Sequence, residues 1–213
     1  MTTPTGPLRG PLRKKESRLW SRQGEDWYRE PLWCSARLFD NERFEGTIYD
    51  PSCGSGRILQ SAASRGHDVL GSDIVKRSEW CGQIVDFCCD EALIWPQDNI
   101  VANPPFALCN GVPPPYVDRA LTVAEKKVAL LLPAGWMNGL KRSHWLETTP
   151  LRRVWLLTPR PSMPPGDLPE DANPGNGTTD YAWFVWEHGY AGKPEIGWLR
   201  RDDPPGLAGD IFG

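Results

Sequence analysis

The chain has 213 residues, which suits one domain with a sizeable core, or one domain plus tails. Its formal net charge of −3 excludes a protein that binds nucleic acid through a surface coated in positive charge. No apolar run is long enough to cross a membrane, and the first residues lack the apolar stretch of a signal peptide.

The charge is unevenly spread. Residues 1–22 hold Arg9, Arg13, Lys14, Lys15, Arg18 and Arg22 against Glu16 alone, amid Pro and Gly and without apolar periodicity. This reads as a flexible basic arm, either a phosphate contact or a solvated tail. Residues 23–200 read as one folded domain, and 201–213, with Pro204 and Pro205, as a fraying tail. The six cysteines form no Cys-x-x-Cys pair, and His67, His144 and His188 are scattered, so no metal site is expected. Several cysteines lie in apolar stretches, as thiols do in a reducing compartment, which points to the cytoplasm. The 11 tryptophans read chiefly as core filling, with one or two near a site able to stack on bases.

Residues 27–39 carry an amphipathic helical pattern, with Pro31 near the helix start. From residue 47 strands and helices alternate: a strand over 47–50, a helix over 57–65, a strand over 68–73 and a short strand over 83–87. A fourth strand follows over 99–102, a helix over 116–125, and an apolar fifth strand over 127–132, of the kind buried at the centre of a sheet. A short helix is expected over 143–147. The alternation then breaks. Runs 153–157 and 181–186 are strand-like with no helix between them, so they should pair antiparallel. Their connection, 159–179, is rich in Pro, Gly, Asp and Asn and reads as a mobile loop. Residues 195–200 are a further edge-strand candidate.

Two turns carry the chemistry. The string Asp50-Pro51-Ser52-Cys53-Gly54-Ser55-Gly56 follows the first strand, where a doubly wound sheet binds ligands. Its glycines, Gly54 and Gly56, let backbone approach a ligand closely. Asp73 ends the second strand at the spacing of an acid that accepts from ribose hydroxyls. Asp86 and Phe87 end the third, where an acid can accept from an adenine amino group while a phenyl ring packs on the purine. Asp73 by itself also fits a helix cap or a solvated turn. A phosphate loop ending in Gly-Lys is missing, which disfavours nucleotide hydrolysis, and a dinucleotide site would lack its third glycine.

The second turn, Asn103-Pro104-Pro105-Phe106, follows the fourth strand. The exocyclic nitrogen of a base is a poor nucleophile because its lone pair is delocalised into the ring. Accepting both N–H hydrogens, one on the Asn103 side-chain oxygen and one on the Pro104 carbonyl, favours a pyramidal nitrogen with an available lone pair. Consecutive prolines fix the turn so that both acceptors are in place before charge develops. Phe106 offers a face for stacking. Taken alone, the tetrapeptide also reads as an ordinary proline turn.

Together these residues resemble the S-adenosylmethionine-dependent adenine-N6 DNA methyltransferases with Asn/Asp-Pro-Pro-Tyr/Phe motifs, over roughly residues 27–186. With Tyr28-Arg29-Glu30-Pro31-Leu32-Trp33 upstream and Asp180-Tyr181-Ala182-Trp183 late in the chain, it is similar to compact bacteriophage and prophage members, which would act in a prokaryotic or phage-infected cytoplasm. The resemblance implies an α/β, Rossmann-like class I methyltransferase fold: a mostly parallel seven-stranded sheet, a terminal antiparallel hairpin and helices on both faces. It implies S-adenosyl-L-methionine as cofactor, held by Asp50, Pro51, Ser52, Cys53, Gly54 and Gly56, by Asp73 and Ile74, by Asp86 and Phe87, and by Asn103. The upstream cofactor segment maps onto Trp27, Tyr28, Glu30 and Pro31, although the family often has Thr-Pro where this chain has Glu30-Pro31. Catalysis falls to Asn103, Pro104, Pro105 and Phe106, and substrate contacts to Phe106, Lys141, Arg142 and Arg160.

The implied partner is DNA, duplex or single-stranded, and the sequence itself argues for neither a protein partner nor a homodimer. Sequence-specific relatives carry a target-recognition region of many tens of residues, for which this chain has no room. Loose specificity, a helper that supplies it, or another nucleic acid follows, with restriction-modification among the roles that fit. The same transfer to RNA or to a protein glutamine stays open, as does cytosine amino methylation. A non-catalytic binding protein that kept the fold is the remaining alternative.

Overall fold

The computed structural model describes residues 27–89, 95–168 and 177–204. The basic arm at 1–22 and most of the C-terminal tail lie outside the described residues, as do 169–176 of the Pro/Gly-rich connection.

The described chain folds into an eight-stranded sheet flanked by helices. The strands are β1 (Ile48–Asp50), β2 (Val69–Asp73), β3 (Gln83–Ile84), β4 (Gln97–Ala102), β5 (Ala124–Pro133), β6 (Leu151–Thr158), β7 (Tyr181–Glu187) and β8 (Glu195–Arg200). The helices are α1 (Leu32–Asn41), α2 (Arg57–Ala63), α3 (Pro115–Val123) and α4 (Leu140–Leu146). Strand order is β3-β2-β1-β4-β5-β7-β6-β8. Only β7 runs against its neighbours, pairing antiparallel with β5 and β6, while β8 pairs parallel with β6. The expected mostly parallel sheet with its antiparallel strand is therefore present, with β8 raising the strand count from seven to eight.

Side-chain alternation along the central strands builds two cores. Val128, Leu130 and Leu132 of β5 and Phe184 and Trp186 of β7 face α3 and α4, packing on Tyr116, Val117, Ala120 and Leu146. Ala129, Leu131, Trp183 and Val185 face the other way, onto Cys34, Leu38, Ile58 and Ala62 of α1 and α2. Buried indoles find partners for their N–H groups: Trp183 donates to the Cys34 carbonyl at 3.0 Å, Trp136 to the Cys109 carbonyl at 2.7 Å and Trp155 to the Glu42 carboxylate at 2.9 Å.

Several boundaries differ from the sequence expectations. Helix α1 begins at Leu32, because Pro31 sits at its N-cap with extended geometry and 27–30 run as extended chain. Strand β3 stops at Ile84, so Asp86 and Phe87 lie in the loop after it rather than at a strand end. Helix α4 begins at Leu140, earlier than 143. Two 3-10 turns, Phe106–Cys109 and Ala134–Asn138, have no periodic signal in sequence because they are single turns. The connection after β6 also departs from a free loop. Its residues 161–166 are buried and strap onto the segment before α1. Tyr28 and Pro165 form an antiparallel bridge, Arg29 N–H donates to the Pro164 carbonyl at 2.9 Å and Gly166 N–H to the Trp27 carbonyl at 3.1 Å. The Pro164 carbonyl accepts and Gly166 supplies the donor, which is how a Pro-rich run pairs at an edge. Among the described residues no helix is long and apolar enough to cross a membrane.

Candidate functional site

The parallel strands β2, β1 and β4 end at one edge, and a cavity of about 260 Å³ opens there. It is walled by the turn after β1, the ends of β2 and β4, the loop after β3 and the strapped segment 27–30.

The turn after β1 is fixed by its own backbone. Asp50 Oδ1 accepts from Ser52 N–H at 3.0 Å, Cys53 N–H donates to the Ser72 carbonyl at 3.0 Å and Gly56 N–H to the Cys53 carbonyl at 2.7 Å. Ser52 Oγ lies 2.8 Å from the Tyr116 hydroxyl of α3. Asp50, Pro51, Ser52, Cys53 and Gly54 all line the cavity. Gly54 has φ +49, and a Cβ there would lie 2.8 Å from Trp27 Nε1. Gly56 stands away from the cavity, in left-handed geometry at the N-cap of α2.

Asp73 and Ile74 also line the cavity. Asp73 ties the glycine turn to β2. Its Oδ2 accepts from Gly54 N–H at 2.8 Å. Its Oδ1 pairs with Arg77 at 2.8 Å, and that guanidinium sits 4.7 Å from the centre of the Trp27 ring. Asp86 and Phe87 also reach the cavity, from the loop after β3. Asp86 Oδ1 accepts from Cys88 N–H at 3.0 Å, and the buried Phe87 ring packs 5.0 Å from that of Tyr116.

Asn103, just past β4, is held by its amino group. Nδ2 donates to the Tyr28 carbonyl at 3.1 Å and to Glu30 Oε2 at 3.0 Å. Both amide hydrogens are thereby committed to segment 27–30, and the side chain keeps Oδ1 as its acceptor. Glu30 is 6 % exposed, and its own carbonyl accepts from Arg57 at 3.0 Å. Burial pushes the Glu30 carboxyl up. Its backbone hydrogen bond, the bond from Asn103 and the nearby Arg57 and Arg29 charges oppose that rise. Burial pushes Asp50 up more strongly, and the charges of Glu30 and Asp73 add to it. Burial, then the Asp50 charge, holds Cys53 as a neutral thiol, unsuited to act as a nucleophile. The cavity therefore sets the buried Asp50 beside Asp73, which Arg77 already pairs, while Glu30 is committed to Asn103.

The cavity thus collects most of the sequence-predicted ligand residues, from Trp27 and Tyr28 to Asn103 and Pro105. Pro31 and Pro104 stay outside its lining. So does Phe106, whose ring lies 6.0 Å from that of Tyr181 at the start of β7. The three basic substrate candidates are also outside it. Lys141 is exposed on α4, Arg142 is engaged by the Trp136 carbonyl at 2.7 Å and by the Trp136 ring, and Arg160 pairs with Asp180 at 2.6 Å. Sequence reasoning missed Tyr116 and Arg77 as lining residues. Arg77 stands four residues after Asp73, a spacing that could have flagged it. Tyr116 carries no such signal, since its place depends on how α3 docks. Among the described residues no group of three His, Cys, Asp or Glu side chains could hold a metal ion.

No protein-family model and no curated protein matches the chain. Solved structures do. A TehB-like SAM-dependent methyltransferase from Corynebacterium glutamicum is 20% identical, covering 73% of this chain and 88% of its own, with a TM-score of 0.46. An O-methyltransferase from Thermotoga maritima is 14% identical over 71% of this chain and 62% of its own, with a TM-score of 0.41. A modification subunit assigned to a type I restriction enzyme, from Vibrio vulnificus, is 13% identical over 86% of this chain, with a TM-score of 0.52. This chain spans about half that subunit, 49% of its length. The sheet order with its antiparallel β7, and the likeness to that subunit at a TM-score of 0.52, are matters of fold: the chain has the Rossmann-like methyltransferase fold.

Proposed function

We propose that the protein is an S-adenosylmethionine-dependent methyltransferase that acts on the exocyclic N6 amino group of adenine, with DNA as substrate and loose sequence specificity. The observation that carries this reading is the locked Asn103 amide, whose two hydrogens are spent on Tyr28 and Glu30 so that Oδ1 is left to accept. A carboxamide held this way suits a substrate that donates, and an amino group brings two donors.

The residues fit the cofactor. The cavity offers the buried Asp50 carboxyl to a cationic group, and Gly54 lets the Trp27 indole close over the turn where a Cβ would collide with it. Asp50, Cys53 and Gly54 would hold the methionine part, Asp73 and Ile74 the ribose, and Asp86 and Phe87 the adenine. When bound, S-adenosylmethionine would supply an electrophilic methyl group, its methyl–sulfur bond breaking to leave the neutral thioether S-adenosylhomocysteine as the new N–C bond forms. Asn103 Oδ1 accepts one amino hydrogen and the Pro104 carbonyl the other. This weakens conjugation of the nitrogen lone pair with the ring and stabilises the positive charge that develops as the N–C bond forms. The proton then leaves the alkylated nitrogen for solvent. Phe106, paired with Tyr181, supplies an aromatic surface beside the turn for the base. Transfer rests on positioning rather than on a nucleophilic side chain.

The test is transfer of radiolabelled methyl from S-adenosylmethionine to duplex DNA, single-stranded DNA, RNA and protein in parallel, followed by nucleoside and amino-acid analysis. N6-methyladenine in DNA is expected. Asn103→Ala should lower transfer by about 100-fold or more, the scale of losing one preorganised polar contact, while equilibrium binding of the cofactor holds. Normal turnover by that variant would overturn the mechanism. Label appearing in RNA or protein instead would keep the chemistry and replace the substrate.

A further inference from the structure

The sequence resemblance gives Glu30 to the cofactor. The structure points elsewhere. Its Oε2 takes a hydrogen from Asn103 Nδ2 at 3.0 Å, and its side chain is buried between the glycine turn and the end of β4. From these contacts we propose that Glu30 is a positioning residue for methyl transfer, acting through Asn103 rather than on the cofactor. The inference rests on the proposed amino-methyl transfer and adds to it a residue that the reaction depends on.

The physical case is one of orientation and polarisation. A carboxamide can present either end to a substrate, and the wrong end would point N–H groups at an amino group that itself donates. Two acceptors, the Tyr28 carbonyl and Glu30 Oε2, hold Nδ2 inward and so set Oδ1 as the exposed end. The carboxylate bond also draws the amide toward its charge-separated form, which enriches electron density on Oδ1 and strengthens it as an acceptor. Arg57 anchors the Glu30 main chain through its carbonyl at 3.0 Å. Segment 27–30 is itself strapped to 164–166. The main-chain position of Glu30 is thus held from two sides, as a positioning role requires.

The decisive experiment exchanges the polarity of the contact. Asn103→Asp places an acceptor against both the Tyr28 carbonyl and Glu30, of which the partner swap relieves the second, and should lower the maximal transfer rate about 100-fold, the scale of a misplaced reacting group. Glu30→Gln keeps an acceptor for Asn103 and should cost about tenfold or less, through lost polarisation. In the Asn103→Asp/Glu30→Gln double variant the new carboxamide donates to the new carboxylate, and we expect recovery of about tenfold or more over Asn103→Asp alone. Equilibrium cofactor binding should stay close to wild type in Glu30→Gln, and a cooperative thermal transition in all three shows that each variant folds. A double variant no faster than Asn103→Asp overturns the inference, because a merely structural Glu30 has no reason to be rescued by the partner swap. So does a fall in cofactor affinity in Glu30→Gln that accounts for its loss of rate. Failure of the underlying reading looks different: Asn103→Ala would then transfer methyl normally, whatever the Glu30 variants do.

Discussion

At the scale of single residues, the site stores unfavourable electrostatics. Asp50 is 1 % exposed, and burial together with the Glu30 and Asp73 charges pushes its carboxyl well above the usual range. The sign of the linkage follows. A carboxyl whose folded pKa exceeds its unfolded one binds more protons in the native state, so its contribution to stability is present at low pH and is lost as pH rises through the raised folded value. Asp50→Asn removes that loss. Its side-chain oxygen can still accept from Ser52 N–H, so the turn should survive. We expect the variant to raise the thermal midpoint at pH 8 and to do so less at pH 5, by about 2–4 °C for each kcal/mol relieved. Cofactor affinity should fall in the same variant, because a bound cation is what relieves the buried Asp50 carboxyl in the wild type. Calorimetric scans at the two pH values check this; an equal shift at both would remove the titration argument.

The residue scale also shows what the sequence could and could not reveal of the site. Asp50, Asp73 and Asn103 were legible because each follows a strand with a recognisable pattern, and strand ends in such a sheet converge. Glu30 was legible as a member of the site but not for its contact, since the resemblance supplies a neighbouring ligand where the fold supplies an amide across 73 positions of sequence. Tyr116 and the partners of Arg142 and Arg160 depend on helix docking and on side-chain rotamers, which local pattern does not encode.

At the scale of elements, the glycine turn depends on closure by Trp80. Gly56 caps α2 with φ +83, and a Cβ there would come within 2.2 Å of Trp80 Cδ1. Gly66 has φ +82 but open space around it. The two alanine substitutions therefore share a backbone penalty and differ in collision. Gly66→Ala should cost about 1–2 kcal/mol. Gly56→Ala should cost about 2–5 kcal/mol once overpacking is added, and should also weaken cofactor binding by tilting the turn. Urea unfolding of both variants checks the difference, and equal costs would show that Trp80 moves aside freely. The strap between 27–29 and 161–166 belongs to the same scale. Composition alone marks 159–179 as a loop, because Pro and Gly break every periodicity. What composition hides is that a proline-rich run can still be buried where its carbonyls and its few N–H groups find partners in a neighbouring segment. The central strands were legible for the opposite reason: β5 and β7 bury both faces, so their apolar runs are continuous.

At the scale of the molecule, the question is how a target adenine reaches Asn103. In a duplex that base is paired and stacked, and extruding it costs a few kcal/mol. A protein recovers this cost by gripping the distorted duplex over a wide surface. Between β1 and β8 the described residues hold no inserted domain, and the long connection after β6 folds back in part onto segment 27–29. Three basic side chains of the cavity or of the expected substrate contacts are spent on internal partners, Arg77 on Asp73, Arg142 on Trp136 and Arg160 on Asp180, while Lys76 and Lys141 are exposed. Little is left among these residues to hold a duplex open. Single-stranded DNA should therefore be methylated faster than a duplex of the same sequence, by about tenfold for each 1.4 kcal/mol of extrusion that the protein fails to offset. A duplex carrying one unpaired or mismatched adenine should fall between them and take its label at that adenine. Rates measured on the three substrates at one salt concentration, and again at higher salt, separate base extrusion from phosphate attraction, since only the latter weakens steeply with salt. Equal rates on single-stranded and fully paired DNA would show that this chain offsets the extrusion cost in full.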